Sequence, residues 1–245
     1  MIAMNKPAGK SPTVETLFAG RPKVFGAAGA EQPMDREWST SIFKEPVSVP
    51  IWLTQTNLTG DEQADLRHHG GSEKAVFSYP SEHYSVWQKE LGNQDIKPGG
   101  MGENFSTARL LETDIAIGDT FAIGEAIIQV SQPRQPCWKP ARRFRVKELA
   151  LLLQNTGRTG WYYRVVQEGY IEAGQTLRLL ERPHPEWTID RCNFIMHIDR
   201  ENFEEAATLA GVHELAVNWK TTLGKRVDSR RMEDISNRVY GPNSD

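Results

Sequence analysis

From about Thr40 to Glu181 the chain runs in short alternating or β-branched stretches, each interrupted by Gly, Pro or Asp within a few residues. That spacing leaves little room for the roughly ten or more residues an amphipathic helix needs, but it suits strands of about four to eight. The region is therefore expected to be β-rich. DTFAIGEAIIQVSQP reads as a hairpin turning at Gly124-Glu125, WYYRVVQEGYI as a strand entered after Gly160, and QTLRLLER as one more strand. One clear helix interrupts them in YPSEHYSVWQKELG: Pro80 suits a first helical turn, Tyr84, Trp87 and Leu91 share a face, and Gly92 can end it. VKELALLLQNTG is expected to form a second. Past RPHPEW, where Pro183 and Pro185 break any regular element, the period turns helical in TIDRCNFIMH, DRENFEEAATLAG and VHELAVNWKTTLG. The expected organisation is a β-rich domain over 1–185, with its core at about 40–181, and a three-helix extension over 186–245 whose last ten or so residues read as frayed.

Composition narrows the function classes. The 245 residues are 38% hydrophobic, enough for a proper core, and the net charge of −3 argues against general binding to nucleic acid or a membrane surface. Two cysteines in unlike surroundings, Cys137 and Cys192, give no disulfide framework and suit a reducing compartment. No apolar run has signal-peptide length or approaches the roughly 20 residues of a membrane span, so a soluble, cytoplasmic protein is expected, as monomer or homodimer.

Against that acidic background SQPRQPCWKPARRFRVK, residues 131–147, carries six cations and no acid: Arg134, Lys139, Arg142, Arg143, Arg145 and Lys147. Pro133, Pro136 and Pro140 lack N–H donors and stiffen the backbone, so a rigid, exposed loop after the strand AIIQV is expected. A cation about 5 Å from a thiolate lowers the thiol pKa by up to about two units at an effective dielectric of about 20. Cys137 is thus predicted to be an accessible thiolate beside something negative. Cys192, on the apolar side of a C-terminal helix, reads as an ordinary buried thiol.

DLRHHGGSEKAVFSYP reads as a site wall: Arg67, His68, His69, Ser72 and Lys74 supply donors, and Gly70-Gly71 allows the backbone to come close to a ligand. A zinc site with Cys137 lacks the remaining ligands, and adjacent histidines in an extended segment point to opposite faces. A Cys-His hydrolase lacks a group to orient the imidazole. In KPGGMGENFST, Gly99, Gly100 and Gly102 let successive N–H groups converge on an anion, with Asn104, Ser106 and Thr107 as further donors; NTGRTGWYY, with Thr156, Arg158 and Thr159, has the same character.

Taken in order, HHGGSEKAVFSYPSEHYSVWQKEL, PGGMGENF, IGDTFAIGEAIIQVSQPRQPCWK and GRTGWYYRV resemble the MOSC domain, and the helical tail is similar to the extension found in the bacterial YiiM-like group. The resemblance implies a mainly β, α+β fold with a pyruvate-kinase-like barrel. It also implies a molybdenum cofactor (Mo-molybdopterin) and a thiolate on molybdenum, which by position is Cys137. Its expected neighbours are Arg134, Arg67, His68, His69, Gly70, Gly71, Lys74, Asn104, Lys139 and Arg158. Eukaryotic amidoxime-reducing members carry an arginine near the loop asparagine where this chain has Gly102-Glu103 before Asn104. The group is associated with reduction of N-hydroxylated compounds, such as 6-hydroxylaminopurine-type base analogues, to amines. His68 or His69 would then supply the proton. The chain shows no dinucleotide fingerprint, iron–sulfur cysteine set or haem motif, so an external flavoprotein or ferredoxin is expected to deliver electrons at the cationic rim from Lys139 to Lys147. A rival from another class is a non-catalytic carrier that hands on the cofactor, or sulfur as a Cys137 persulfide; a third is a plain β-barrel with an unrelated ligand.

Overall fold

Strand structure begins earlier than the sequence signals it. In the computed structural model, which describes residues 11–243, β1 (Thr13–Ala19) buries Val14, Leu17 and Phe18. It is followed by β2 (Lys23–Phe25), β3 (Trp38–Thr40), β4 (Glu45–Val47), β5 (Ile51–Leu53) and the short α1 (Leu66–His69). Then come β6 (Val76–Pro80), α2 (Glu82–Leu91), β7 (Phe105–Ala108), β8 (Thr120–Ile123), β9 (Ala126–Pro133), α3 (Trp138–Phe144) and α4 (Leu149–Asn155). β10 (Trp161–Gln167), β11 (Gly169–Ile171) and β12 (Arg178–Glu181) complete the strands, and α5 (Ile189–Asn193), α6 (Phe203–Ala210), α7 (Val217–Ser229) and α8 (Ser236–Val239) follow.

Eight strands form one curled sheet in the order β12-β8-β9-β10-β6-β7-β1-β4, and only β6 and β7 are parallel. A parallel pair needs a crossover, and α2 with the loop after it provides one. Val14 N donates to Gln175 O at 3.0 Å and Leu177 N to Pro12 O at 2.9 Å, so the segment entering β12 meets the start of β1 and the sheet curls into a half-barrel. This is the β-rich α+β architecture expected, with helices appended. The hairpin turns at Gly124-Glu125 as predicted, with Ile123 paired to Ala126. α2 buries Tyr84 and Trp87 and ends at Gly92, whose φ of 62° lies in the left-handed region. Pro80 differs from expectation: it closes β6, because Ser81 N still reaches across to Thr107 O at 2.7 Å.

The change of period near residue 185 is a change of secondary structure inside one continuous core. Cys192, Met196, Leu209, Trp219 and Leu223 of the C-terminal helices share a single apolar cluster with Val130 and Trp161 of the sheet and Ile117 of the turn before β8. Nor are the final described residues frayed. The turn Gly241–Asn243 packs on α3, where Asn243 Nδ2 donates to Trp138 O at 3.0 Å and Arg142 Nε donates to Asn243 Oδ1 at 2.6 Å. Replacing the fully buried Trp219 with Ala should therefore cost about 3–5 kcal/mol and lower one shared unfolding transition. Thermal melts followed separately by far-UV circular dichroism and tryptophan fluorescence would expose two independent units as two transitions.

Candidate functional site

β10 lies antiparallel between β9 and β6, so β9 runs in the same direction as β6 and β7, and its last residue, Pro133, stands level with Trp161 and Ser78, where β7 begins at Phe105. An open cleft of about 580 Å³ lies there. Its walls come from the β3–β4 connection (Thr40, Ser41, Ile42, Lys44), the segment after β5 (Asp61, Gln63, Ala64, His69, Lys74) and the loop before β7 (Met101, Gly102, Asn104). Phe77 and Tyr162 form apolar walls, and Arg134, Cys137 and Lys139 arrive from the segment after β9.

Cys137 is the residue before α3 and is only 8% exposed, which corrects the expected exposed loop: the irregular stretch is short, and the chain turns helical at Trp138. Its Sγ lies 4.0 Å from His69 Nε2. Burial alone would raise the thiol pKa, but the His69 hydrogen bond and charge, with the charge of Arg134, outweigh it and bring the value down to about 6. Arg134 is itself buried and stacks 4.8 Å from the Phe77 ring centroid, and among the described residues its Nη1 has no hydrogen-bond partner. The fold therefore sets an imidazole as well as a cation beside the thiol.

The two histidines diverge, although the segment is a helical turn and not an extended run. His68 is exposed, with Nδ1 2.8 Å from Asp65 Oδ2, and His69 faces the cleft. Gly70 and Gly71 shape the turn toward Lys74 and do not line the cleft, and Arg67 is exposed on α1. Lys74 lines the cleft and donates to His68 O at 2.7 Å. Arg158 lies elsewhere: its guanidinium stacks 3.9 Å from the Trp87 ring centroid and contacts both Glu90 oxygens at 3.0 Å.

The first glycine loop gathers amides around an anion and the second offers one, but in each case the partner is a carboxyl group of the chain. Gly99 N donates to Glu103 Oε1 at 2.6 Å and Met101 N to Oε2 at 3.2 Å, while the Tyr84 hydroxyl donates to Oε1. Burial raises the Glu103 carboxyl above its ordinary range, against the opposing pull of Tyr84 and the Gly99 amide. In the second loop Gly160 N donates to Glu112 Oε1 at 2.8 Å, and the other oxygen lies 2.8 Å from His83 Nε2. Asn104 likewise serves the fold, accepting from Phe77 N and donating to Phe18 O and Asp61 Oδ2, while still facing the cleft.

The basic run is not a rim. Arg142 donates to the carbonyls of Pro33, Arg36 and Pro242, Arg143 to those of Ile42 and Gly99, and Arg145 to that of Met34 while pairing with Asp35. Of the six cations only Arg134 and Lys139 line the cleft, and Lys147 is exposed. The wall residues missed in the sequence include Lys44 and Asp61, a buried ion pair, and Ser41, whose buried hydroxyl has no hydrogen-bond partner among the described residues. No local motif marks them, because they come from connections far from the cysteine in sequence. Among the described residues no three His, Cys, Asp or Glu side chains converge as a metal-ligand set.

In native protein the rate of Cys137 alkylation by iodoacetamide should be half-maximal near pH 6, not near the ordinary thiol value of 9.0. Cys192, whose thiol burial pushes far upward, should react only on unfolding. Because the folded-state pKa is depressed, the thiolate's contribution to stability is full above about 9 and is lost as pH falls through about 6. The gap in stability between wild type and Cys137→Ser should shrink accordingly in denaturant titrations from pH 9 to pH 5.

A family model for the MOSC domain matches residues 65–178. The chain is 38% identical over 216 residues to the uncharacterized protein YflK of Bacillus subtilis, covering 88% of this chain and 95% of that one. It is 38% identical over 207 residues to protein YiiM of Escherichia coli, covering 82% and 91%. The crystal structure of that YiiM superposes with a TM-score of 0.74 at 32% identity, covering 92% of this chain and 99% of that one. A protein of Gibberella moniliformis named Reductase is 35% identical over 186 residues, which are 75% of this chain and 32% of that longer one. With the curled sheet, the cysteine after β9 and these likenesses together, the chain belongs to the MOSC domain family, in its YiiM-like group.

Proposed function

We propose that this chain is a molybdenum-cofactor-dependent reductase that converts N-hydroxylated compounds, of the 6-hydroxylaminopurine type, to amines. One observation carries the reading: a thiolate held ionised at the wall of an open cleft, beside a buried arginine with an unpartnered donor. A deprotonated thiol is a soft ligand suited to molybdenum. Lys74, Lys139 and Arg134 set cations around a site where phosphate and dithiolene groups would bring negative charge. The residues therefore fit the cofactor: Cys137 would hold the metal, and Arg134, Lys74 and Lys139 the anionic groups. Likeness to a protein named Reductase supports oxidoreductase chemistry of some kind.

When bound, the cofactor supplies two-electron redox chemistry, and the chain supplies position and protons. Conversion of N–OH to N–H consumes two electrons and two protons and releases water. His69 is the proton-holding group at the cleft, with Nε2 turned toward the thiolate, whereas His68 faces Asp65. Phe77 and Tyr162 provide flat walls against which an aromatic base can lie. Electrons come from an external flavoprotein or ferredoxin that approaches the open side of the cleft.

Protein produced in a host that makes molybdopterin should contain molybdenum by elemental analysis, and Cys137→Ser should lack it. His69→Gln should lower turnover of an N-hydroxylated base by about 100-fold or more with molybdenum retained, and His68→Gln should stay within a few-fold of wild type. Zinc at unit stoichiometry without molybdenum would refute the reading. Molybdenum without turnover, given several flavoprotein and ferredoxin donors, would favour the carrier alternative.

A further inference from the structure

The residues on either side of the site cysteine are gripped from the far end of the chain. Arg238 Nη1, from α8, donates to the carbonyl of Pro136, the residue before Cys137, and its Nη2 donates to the buried Gln154 Oε1 at 2.7 Å. Asn243 Nδ2 donates at 3.0 Å to the carbonyl of Trp138, the residue after it. The Asn243 amide is in turn fixed, because Arg142 Nε donates to its Oδ1 at 2.6 Å and Arg142 Nη2 donates to Pro242 O at 2.9 Å. Gly241 lies so close to the Trp138 indole that a Cβ there would fall 2.3 Å from Cδ1. Proline has no N–H, so the carbonyl is the one hydrogen-bonding group Pro136 has, and Arg238 accounts for it.

We infer that Arg238 and Asn243 are positioning residues that clamp the backbone on both sides of Cys137 and so set its sulfur against His69 and Arg134. Sheet and prolines alone do not achieve this. β9 ends at Pro133, α3 begins at Trp138, and the residues between them belong to no regular element that would hold the sulfur in place. The clamp closes over a separation of 102 residues from Pro136 to Arg238 and 105 from Trp138 to Asn243, and it makes the C-terminal turn part of the site. The functional meaning of this clamp rests on Cys137 being the thiolate ligand, but its existence does not.

The test is the rate of iodoacetamide alkylation of Cys137 in the full chain, read by peptide mass spectrometry with Cys192 as internal control. Arg238 also places a charge near the thiol, so the variants are compared at the plateau of a pH series run upward from pH 8, where the thiol is ionised throughout and the rate reports placement and access. Arg238→Ala and Asn243→Ala should each raise the Cys137 rate by about fivefold or more, the factor for loss of one ordinary hydrogen bond, with Cys192 still protected. Arg238→Lys, which keeps one donor to Pro136, should restore most of the wild-type rate. Leu223→Ala, which loosens the core away from the clamp, should lower Tm without this selective change. Should Arg238→Ala fail to fold, Asn243→Asp, nearly isosteric but lacking the donor, carries the same expectation. Rates within twofold of wild type, or a parallel rise at Cys192, would overturn the clamp. The assay needs neither cofactor nor turnover, so failure of the reductase reading, seen in metal content, is distinguishable from failure here.

Discussion

The Glu103 carboxylate is the interaction on which much of this end of the molecule depends. It takes amides from Gly99 and Met101 and the hydroxyl of Tyr84, so one buried anion ties α2 to the loop that enters β7. Arg143 of α3 closes the arrangement by donating to the carbonyl of Gly99. An uncompensated buried carboxylate is costly, and here the two amides that offset it belong to the loop that borders the cleft. The parallel β6–β7 pair, the glycine loop and the cysteine-bearing segment are thereby brought into one relative arrangement. Glu112 plays the matching part at the second glycine loop, where the Gly160 amide donates to it and the Gly160 carbonyl accepts from Arg134 N at 3.0 Å.

Charge in the cleft follows from this internal pairing. Asp61 is met by Lys44, Gly20 N and Asn104, so the acid on the wall is already satisfied. Arg142, Arg143 and Arg145 are committed to carbonyls on neighbouring segments and add little to the open space. What remains for a ligand is a small set: the Cys137 thiolate, the His69 imidazole, the free donor of Arg134, and Lys74 and Lys139. Folding thus turns most of a dense cationic run onto carbonyls of the chain and leaves Arg134 and Lys139 of it at the cleft.

The C-terminal helices contribute in two ways. Their apolar faces complete the cluster that includes Val130 of β9, which steadies the strand leading to the cysteine. Their last turn packs on Trp138 and reaches the carbonyls beside Cys137. An extension that reads in sequence as an appendage is in space a support for the site, because a strand end and a short helix cannot by themselves fix the few residues between them.

Local chemistry made much of this readable in one dimension. Short β-branched runs with Gly and Pro punctuation can form only strands and turns, so the β-rich class, the Gly124-Glu125 hairpin and α2 follow from residues close together in the chain. Cys137 was legible for the same reason: prolines and cations within a few residues of a thiol mark it whatever the rest of the chain does. The pairings across long separations were not legible. Whether a cation faces a ligand or a carbonyl, which of two adjacent histidines meets the thiol, and whether a glycine loop holds an outside anion or its own glutamate all depend on partners brought in by the fold. The sequence by itself determined the β-rich class and the main hairpin and helix, and singled out the sulfur that lines the cleft. Tertiary structure decided which donors stayed free around it, because a buried polar group takes the nearest partner in space, and nearness in space is a property of the packed sheet and not of the local chain.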